Sequence, residues 1–123
     1  MRSSTEKAAM KIDFARYASK HNLIVVITDT SPRGLDFDQI NENKDPSLGY
    51  SAGHYCNATT LPYSTHFNMF TYITEELPNL ISANFQVSAQ SIMGHSMGGG
   101  GALVSALLSK GKYRSVSAIA PIC

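Results

Sequence analysis

The sequence of 123 residues contains no tryptophan and only two cysteines, and 15% of its residues are charged. Cys56 and Cys123 are too few for a disulfide framework or a metal-binding cluster, so we expect a reducing, cytoplasmic environment and no bound metal. Ten basic residues against nine acidic ones leave a net charge of +1, which argues against a nucleic-acid-binding protein. The longest aliphatic run, Leu23–Ile27, is far shorter than the ~20 residues of a membrane span. Met1–Thr5 leads into no apolar run, so we expect no signal peptide.

Apolar residues make up 43% of the sequence, which is enough for a packed core and excludes intrinsic disorder. The length fits one domain over residues 1–123. No repeat, low-complexity segment or linker divides the chain. We therefore expect a single globular domain.

Apolar residues recur at helical spacing in separate segments of the chain. They predict helices over Thr5–Lys20, about His66–Ala83, and Met97–Ser109. The first helix should bury a broad face, and the second should kink at Pro78, whose ring would clash with the Thr74 carbonyl. The predicted strands are Leu23–Ile27, Gln90–Met93 and Ser115–Ala120.

The run Leu23–Ile27 is rich in β-branched residues, which is typical of a strand covered on both faces of a parallel sheet. Little periodicity is visible over Leu35–Ser64, and so long an irregular segment is usually functional or mobile. Helices and strands alternate along the chain. This order predicts an α/β fold with a mostly parallel sheet and flanking helices.

The motif that carries chemistry is Gly94-His95-Ser96-Met97-Gly98, a G-x-S-x-G pattern between a predicted strand and a predicted helix. In such a nucleophile elbow a sharp turn holds the serine in a strained conformation with its hydroxyl exposed. The glycines two before and two after it let strand and helix approach closely. We predict Ser96 as the nucleophile and the Met97 backbone N–H as a donor to the oxyanion, helped by the positive end of the helix.

This region allows two other interpretations. A serine at a strand-to-helix turn is often an ordinary helix N-cap, although that role does not require glycine on both sides. The run Gly98-Gly99-Gly100-Gly101 costs roughly 1 kcal/mol per residue in a helix interior, which indicates close packing or backbone access. A phosphate-binding loop is disfavoured because neither common glycine-rich phosphate motif is complete, so we expect no cofactor.

Five ordered segments resemble the S-formylglutathione hydrolases, the esterase-D branch of the α/β-hydrolases. The segments are Asp29-Thr30-Ser31-Pro32-Arg33-Gly34, Ala52-Gly53-His54-Tyr55-Cys56-Asn57-Ala58-Thr59, Tyr72-Ile73-Thr74-Glu75-Glu76-Leu77-Pro78, Gly94–Gly99 and Lys112–Cys123. The resemblance covers nearly the whole chain from Tyr17 onward. It implies an α/β-hydrolase fold.

The resemblance also implies a function. A family member hydrolyses S-formylglutathione to glutathione and formate, a step of formaldehyde detoxification, and also cleaves simple carboxylic esters. The implied partner is a small thioester or ester substrate, with a homodimer as the family's association state. Of the family's catalytic groups, the Ser96 side chain and the Met97 N–H carry over to this sequence.

The sequence departs from the family at several positions. His54 stands where the family has Phe, Asn57 where it has Asp, and Gly100 where it usually has His. The strand into the elbow is about two residues shorter than the family's, which can shift its register.

The family's triad Asp and His lie after the segment that matches Cys123, and its second oxyanion loop lies before the first matched residues. The resemblance therefore implies a central piece of the domain, incomplete at both ends. The alternative function is that of a catalytically inactive family member, without the triad Asp and His, that acts through a partner.

Four histidines could in principle serve Ser96 as a base, and none is favoured. For His95 we expect a packing or hydrogen-bonding role in the elbow, and for His21 that of a cation at a helix end. His54 and His66 are expected at the surface or in a pocket wall. We expect a structural role for Asp29 in its turn and a small apolar role for Cys56.

Overall fold

The structure is a computed structural model that describes residues 13–35 and 54–122. The chain divides into two compact units, Met1–Ala52 and Gly53–Cys123, which are described separately. A single domain over the whole chain stays a prediction.

In the first unit, helix α1 spans Phe14–His21. The Asp13 carboxylate accepts the Arg16 N–H at 3.3 Å and caps the helix. At the other end Asn22 is left-handed, with φ 51°, and Leu23 donates its N–H to the Ala18 carbonyl at 2.9 Å. This closure explains why the helical pattern ends here, one residue after the predicted Lys20. The predicted start at Thr5 lies outside the described residues.

Two predictions for this unit are wrong. No residue of α1 is fully buried, and Tyr17 is 57% exposed, so the described part of the helix has no broad buried face. Leu23–Ile27 forms no strand, and Leu23 remains 59% exposed. An extended run becomes a strand only when a neighbour supplies ladder partners, and the described residues supply none for this run.

The second unit contains a long helix, α2, over residues 69–84. It consists of an α-helical turn Met69–Thr71, a π-helical segment Tyr72–Glu76 and an α-helix Leu77–Asn84. The prediction of a helix is confirmed, but it begins three residues later than His66, because Asn68 pairs with Asn57 in an isolated bridge. Of the predicted irregular segment, the described end contains a 3-10 turn, Tyr63–Thr65. Residues 36–53 of that segment lie outside the described residues.

The helix widens locally just before Pro78, and the expected kink there stays a prediction. Within the π-helical segment the Leu77 N–H reaches back to the Tyr72 carbonyl, and Pro78 falls in the first turn of the α-helix that follows. A proline is tolerated there because its missing N–H is not required. The Thr74 carbonyl, which a residue 78 N–H would serve in an α-helix, accepts the Lys112 ammonium.

A βαβ unit completes the chain. Strand β1 is Ile92–His95, helix α3 is Met97–Leu108 and strand β2 is Val116–Ile119. The strands are parallel, with Ile92 paired to Val116 and His95 to Ile119. The predictions for α3 and β2 are confirmed to within one residue at each end. The strand predicted over Gln90–Met93 lies two residues later along the chain. It extends this far because the pairing with β2 continues up to Ser96, whose N–H donates to the Ile119 carbonyl.

The buried apolar side chains of the described residues lie in the second compact unit: Phe67, Met69 and Ala102 are each at most 5% exposed. Phe67 packs edge to face on Tyr63, with ring centroids 5.3 Å apart. Thr74 and Ser105 are buried polar residues on α2 and α3. Helix α3 packs on both strands.

Candidate active site

Ser96 is the single residue between β1 and α3, and its backbone is strained. Its φ of 57° and ψ of −119° lie in a region that side-chain-bearing residues rarely occupy. Its hydroxyl makes no capping hydrogen bond to the helix. The ordinary N-cap interpretation therefore fails, because such a cap works through the side-chain oxygen. The strained turn expected from the motif is confirmed, and the hydroxyl takes no part in capping the helix.

Both peptide groups of Ser96 are held in place. The Ser96 N–H donates to the Ile119 carbonyl at 2.9 Å. The Ser96 carbonyl accepts the N–H groups of Gly99 at 3.0 Å, Gly100 at 3.1 Å and Ile122 at 3.1 Å. The last bond comes from outside the helix. Strand β2 and the turn after it therefore restrain the turn that carries Ser96.

The glycines of the motif have different roles. A Cβ at Gly94 would overlap the Gly98 carbonyl and lie 2.8 Å from the Gly99 nitrogen, so strand and helix approach too closely for a side chain. At Gly98, by contrast, a Cβ would meet no atom within 4 Å beyond its chain neighbours and the nearby backbone of its own helix. The prediction that both flanking glycines are needed for close approach is therefore confirmed for Gly94 and wrong for Gly98.

The rest of the glycine run packs tightly, as predicted. A Cβ at Gly99 would lie 3.0 Å from Pro121 Cα, and one at Gly100 would overlap the Ile122 carbonyl. A Cβ at Gly101 would overlap the Tyr55 ring, with Tyr55 Cγ 2.6 Å away. These contacts explain why glycine stands at three helical positions despite its low propensity.

The start of α3 offers backbone donors beside Ser96. The first N–H groups of a helix have no partner within it, and here Met97 and Gly98 occupy these positions. The Gly99 and Gly100 N–H groups are already bound to the Ser96 carbonyl. The Met97 N–H is thus placed as the motif predicts, next to the serine and at the positive end of the helix dipole. Its role as an oxyanion donor stays a prediction.

The histidines do not complete a catalytic pair with Ser96 within the described residues. His95 is exposed on β1 and, in the register with Ile119, lies on the sheet face opposite to Gly94, which faces α3. Of the two expected roles, packing in the elbow is therefore wrong, and hydrogen bonding stays a prediction. His21, His54 and His66 are exposed, as predicted.

The structure also shows the surroundings of Asp29, Cys56 and Asn57. Asp29 forms an ion pair with Arg33 at 3.0 Å, which supports the structural role expected for it. Cys56 is exposed, so the expected small apolar role is wrong. Asn57 accepts the Thr71 N–H at 3.1 Å and donates to the Thr71 hydroxyl at 2.7 Å, and so caps α2 from outside the helix.

Two parts of this region were missed by the sequence analysis. Tyr55, at φ 54°, lies against Gly101 of α3, and burial raises the pKa of its hydroxyl above the ordinary 10.0. The second missed feature is the hydrogen bond from the Ile122 N–H to the Ser96 carbonyl. The signal that could have located both is the glycine run, since each missing side chain marks a close neighbour.

The described residues contain no group of three or more His, Cys, Asp or Glu side chains arranged to hold a metal ion. Within residues 13–35 and 54–122, every helix is too short or too polar to span a membrane.

Comparison with known proteins identifies the family. The Esterase family model matches residues 3–123. The S-formylglutathione hydrolase of Mus musculus is 52% identical over 115 residues, which are 92% of this chain and 40% of that protein. The Rattus norvegicus enzyme is 55% identical over 108 residues, 86% of this chain and 38% of its own length.

A solved structure of an S-formylglutathione hydrolase from Agrobacterium tumefaciens is also similar to this chain. It superposes with a TM-score of 0.85 at 44% identity, covering 98% of this chain and 44% of the solved chain. The chain thus spans about 40% of the length of the curated relatives it matches. The predicted fold class is confirmed, and the chain belongs to the esterase family, with the α/β-hydrolase fold.

Proposed function

We propose that the protein is a serine hydrolase of thioesters and carboxylic esters, with S-formylglutathione as its substrate and glutathione and formate as its products. The observation that carries the proposal is the strained turn at Ser96, whose hydroxyl serves no capping role. The names of the relatives, at 46–55% identity, support the choice of substrate. Glutathione thioesters belong to a reducing compartment, which agrees with a cytoplasmic location and a role in formaldehyde breakdown.

The proposed reaction has two steps. In the first, a general base takes the Ser96 hydroxyl proton as Oγ attacks the formyl carbonyl, the Met97 N–H stabilises the tetrahedral oxyanion, and the base returns the proton to the leaving sulfur. The resemblance implies that this base is the family's triad histidine, which follows the segment that matches Cys123. The C–S bond breaks, glutathione leaves as its thiol, and a formyl ester remains on Ser96. In the second, water attacks that ester and releases formate, which restores the serine.

The elbow suits this chemistry because its donors are fixed before the substrate arrives. The Ser96 N–H is bonded to Ile119 at 2.9 Å, so the turn has little freedom to rearrange. A rigid donor at the end of a helix costs no reorganisation when charge develops in the transition state. His95 neighbours Ser96 in sequence but lies exposed on a strand. We therefore assign it no role as base.

The test is hydrolysis of S-formylglutathione and of p-nitrophenyl acetate by the purified protein, with the Ser96→Ala variant beside it. We expect Ser96→Ala to lose on the order of 10⁴-fold or more in kcat. Equal rates for the two folded proteins would contradict the proposal. They would favour the alternative, a catalytically inactive family member that acts through a partner.

A subunit association is the remaining part of the proposal. A homodimer agrees with the resemblance to the family. Analytical ultracentrifugation of the purified protein tests it, since a monomer at the concentrations used for hydrolysis would contradict it.

A further inference from the structure

The turn after β2 makes two hydrogen bonds to one residue of the elbow. The Ile119 carbonyl accepts the Ser96 N–H at 2.9 Å, and the Ile122 N–H donates to the Ser96 carbonyl at 3.1 Å. Both peptide groups that flank the strained torsion angles are thus bonded to residues 119–122. We call this segment the elbow clamp. The Ile119 bond continues the ladder between the strands, whereas the Ile122 bond lies beyond the last paired residue.

The elbow clamp has a restricted shape of its own. Ala120 has a φ of 43°, and Pro121 has a ring that fixes its φ and lacks an N–H. Beyond these two residues, the Ile122 N–H reaches the Ser96 carbonyl. The direction of that N–H is therefore set by backbone geometry rather than by the Ile122 side chain, which is 60% exposed.

The elbow clamp also lies directly on the first turn of α3. Pro121 Cα would be 3.0 Å from a Cβ at Gly99, and the Ile122 carbonyl takes the space of a Cβ at Gly100. The same residue, Ile122, thus presents its N–H to Ser96 and its carbonyl to Gly100. A side chain at position 100 and a closed clamp exclude each other.

An ordinary helix start would not need this arrangement. The Gly99 and Gly100 N–H groups already bond the Ser96 carbonyl, as in any first helical turn. The Ile122 N–H is an additional donor on the same oxygen, and it comes from the strand side. It resists rotation of the Ser96–Met97 peptide, the unit that also carries the Met97 N–H.

We infer that Ile122, through its backbone N–H, is a positioning residue that sets the orientation of Ser96 and of the Met97 N–H, and that Gly100 is required for this bond to form. The inference rests on the proposed function for its catalytic consequence. Its structural part is independent of any activity. It predicts that removing one N–H from an exposed residue changes the rate of the chemical step.

The first test compares Ile122→Pro with Ile122→Ala. Proline removes the N–H, whereas alanine keeps it and shortens an exposed side chain. We expect Ile122→Pro to lower kcat for p-nitrophenyl acetate about 100-fold with KM unchanged, because small misplacements of a nucleophile have effects of this size. Ile122→Ala should stay within about two-fold of the wild type, since a change at an exposed side chain is usually slight.

The second readout does not depend on catalysis. In ¹⁵N NMR spectra, hydrogen exchange of the Ser96 amide should become about 10-fold faster in Ile122→Pro, while the amides in the middle of α3 keep their protection. An unchanged Ser96 amide and unchanged kcat in a folded Ile122→Pro protein would overturn the inference. Should the wild type show no hydrolysis, the proposed function fails, and the exchange data alone decide the inference.

A second variant serves if Ile122→Pro does not fold. Gly100→Ala adds a Cβ that displaces the Ile122 carbonyl, whereas Gly98→Ala adds one into open space in the same helical turn. We expect faster Ser96 amide exchange in Gly100→Ala and no change in Gly98→Ala. Equal exchange in these two variants would overturn the inference.

Discussion

The carbonyl group of Gly98 occupies the space that a Cβ at residue 94 would need. This relationship joins the strand that enters the elbow to the helix that leaves it. Because both partners are backbone, neither can move away without breaking the pairing of β1 or the first turn of α3. A side chain at position 94 is therefore excluded by the fold itself, before any question of chemistry arises.

Alanine substitutions at the two motif glycines should have opposite effects on stability. Gly94→Ala should lower the free energy of unfolding by about 1–3 kcal/mol through overpacking. Gly98→Ala should raise it by up to about 1 kcal/mol, because alanine is the better helix former and its Cβ meets no atom within 4 Å beyond its chain neighbours and the nearby backbone of its own helix. Urea unfolding followed by circular dichroism measures both. Equal destabilisation by Gly94→Ala and Gly98→Ala would contradict the presence of open space beside Gly98.

The cap that Asn57 places on α2 gives a second prediction. Asn57→Ala should lower the free energy of unfolding by about 1 kcal/mol, the usual cost of losing a helix cap. Asn57→Asp should stay within about 0.5 kcal/mol, because a carboxylate can accept both the Thr71 N–H and the Thr71 hydroxyl, and a negative charge is favoured at a helix start. The same unfolding measurement tests both variants. A large loss with aspartate would mean that donation by the Asn57 amide dominates the contact.

The hydrogen bond from the Lys112 ammonium to the Thr74 carbonyl gives a third prediction. Thr74 is 2% exposed, and Lys112→Met would leave its carbonyl without this donor, at a cost of about 1–3 kcal/mol. Lys110→Met is the matched control, since Lys110 is exposed. In a Pro78→Ala background residue 78 regains an N–H and can serve the same carbonyl. The cost of Lys112→Met should therefore shrink in that background, and an equal cost in both would contradict this account.

Alkaline pH should destabilise the fold through Tyr55. Burial raises the pKa of this hydroxyl above the ordinary 10.0, so the folded state favours the neutral phenol. Stability from this group is complete below the unfolded pKa and is lost as pH rises towards and through the folded one. We expect the free energy of unfolding to fall above pH ~10, and less so in Tyr55→Phe. Tyr17→Phe, at a 57% exposed tyrosine, should retain the full loss.

The parts of the fold that the sequence predicted are those where local pattern and tertiary contacts agree. Helix α3 and strand β2 were placed to within a residue because the glycine motif and the Ala- and Leu-rich helix mark their ends. Leu23–Ile27 has the composition of a strand, but strand formation depends on a partner, which no local pattern contains. The π-helical segment around Pro78 was missed because its compensation comes from Lys112, 38 residues from Thr74.

The sequence predicted only those parts of the candidate site that depend on the identity of side chains. The strained conformation of Ser96 follows from the motif. The bond from Ile122 does not, because every residue except proline carries a backbone N–H and no side chain marks its use. The contact of Tyr55 with Gly101 was partly predictable. The glycine indicates that a neighbouring group lies close, but it does not identify that group.

The glycine run has a consequence for the order of folding. Four successive glycines, from Gly98 to Gly101, make the start of α3 a poor site for helix nucleation, since each costs roughly 1 kcal/mol against alanine. The helix should nucleate in its second half, around Ala102–Leu108, and extend backwards. Its first turn becomes stable only when β1, β2 and the elbow clamp are already against it. Ser96 therefore acquires its strained geometry late in folding.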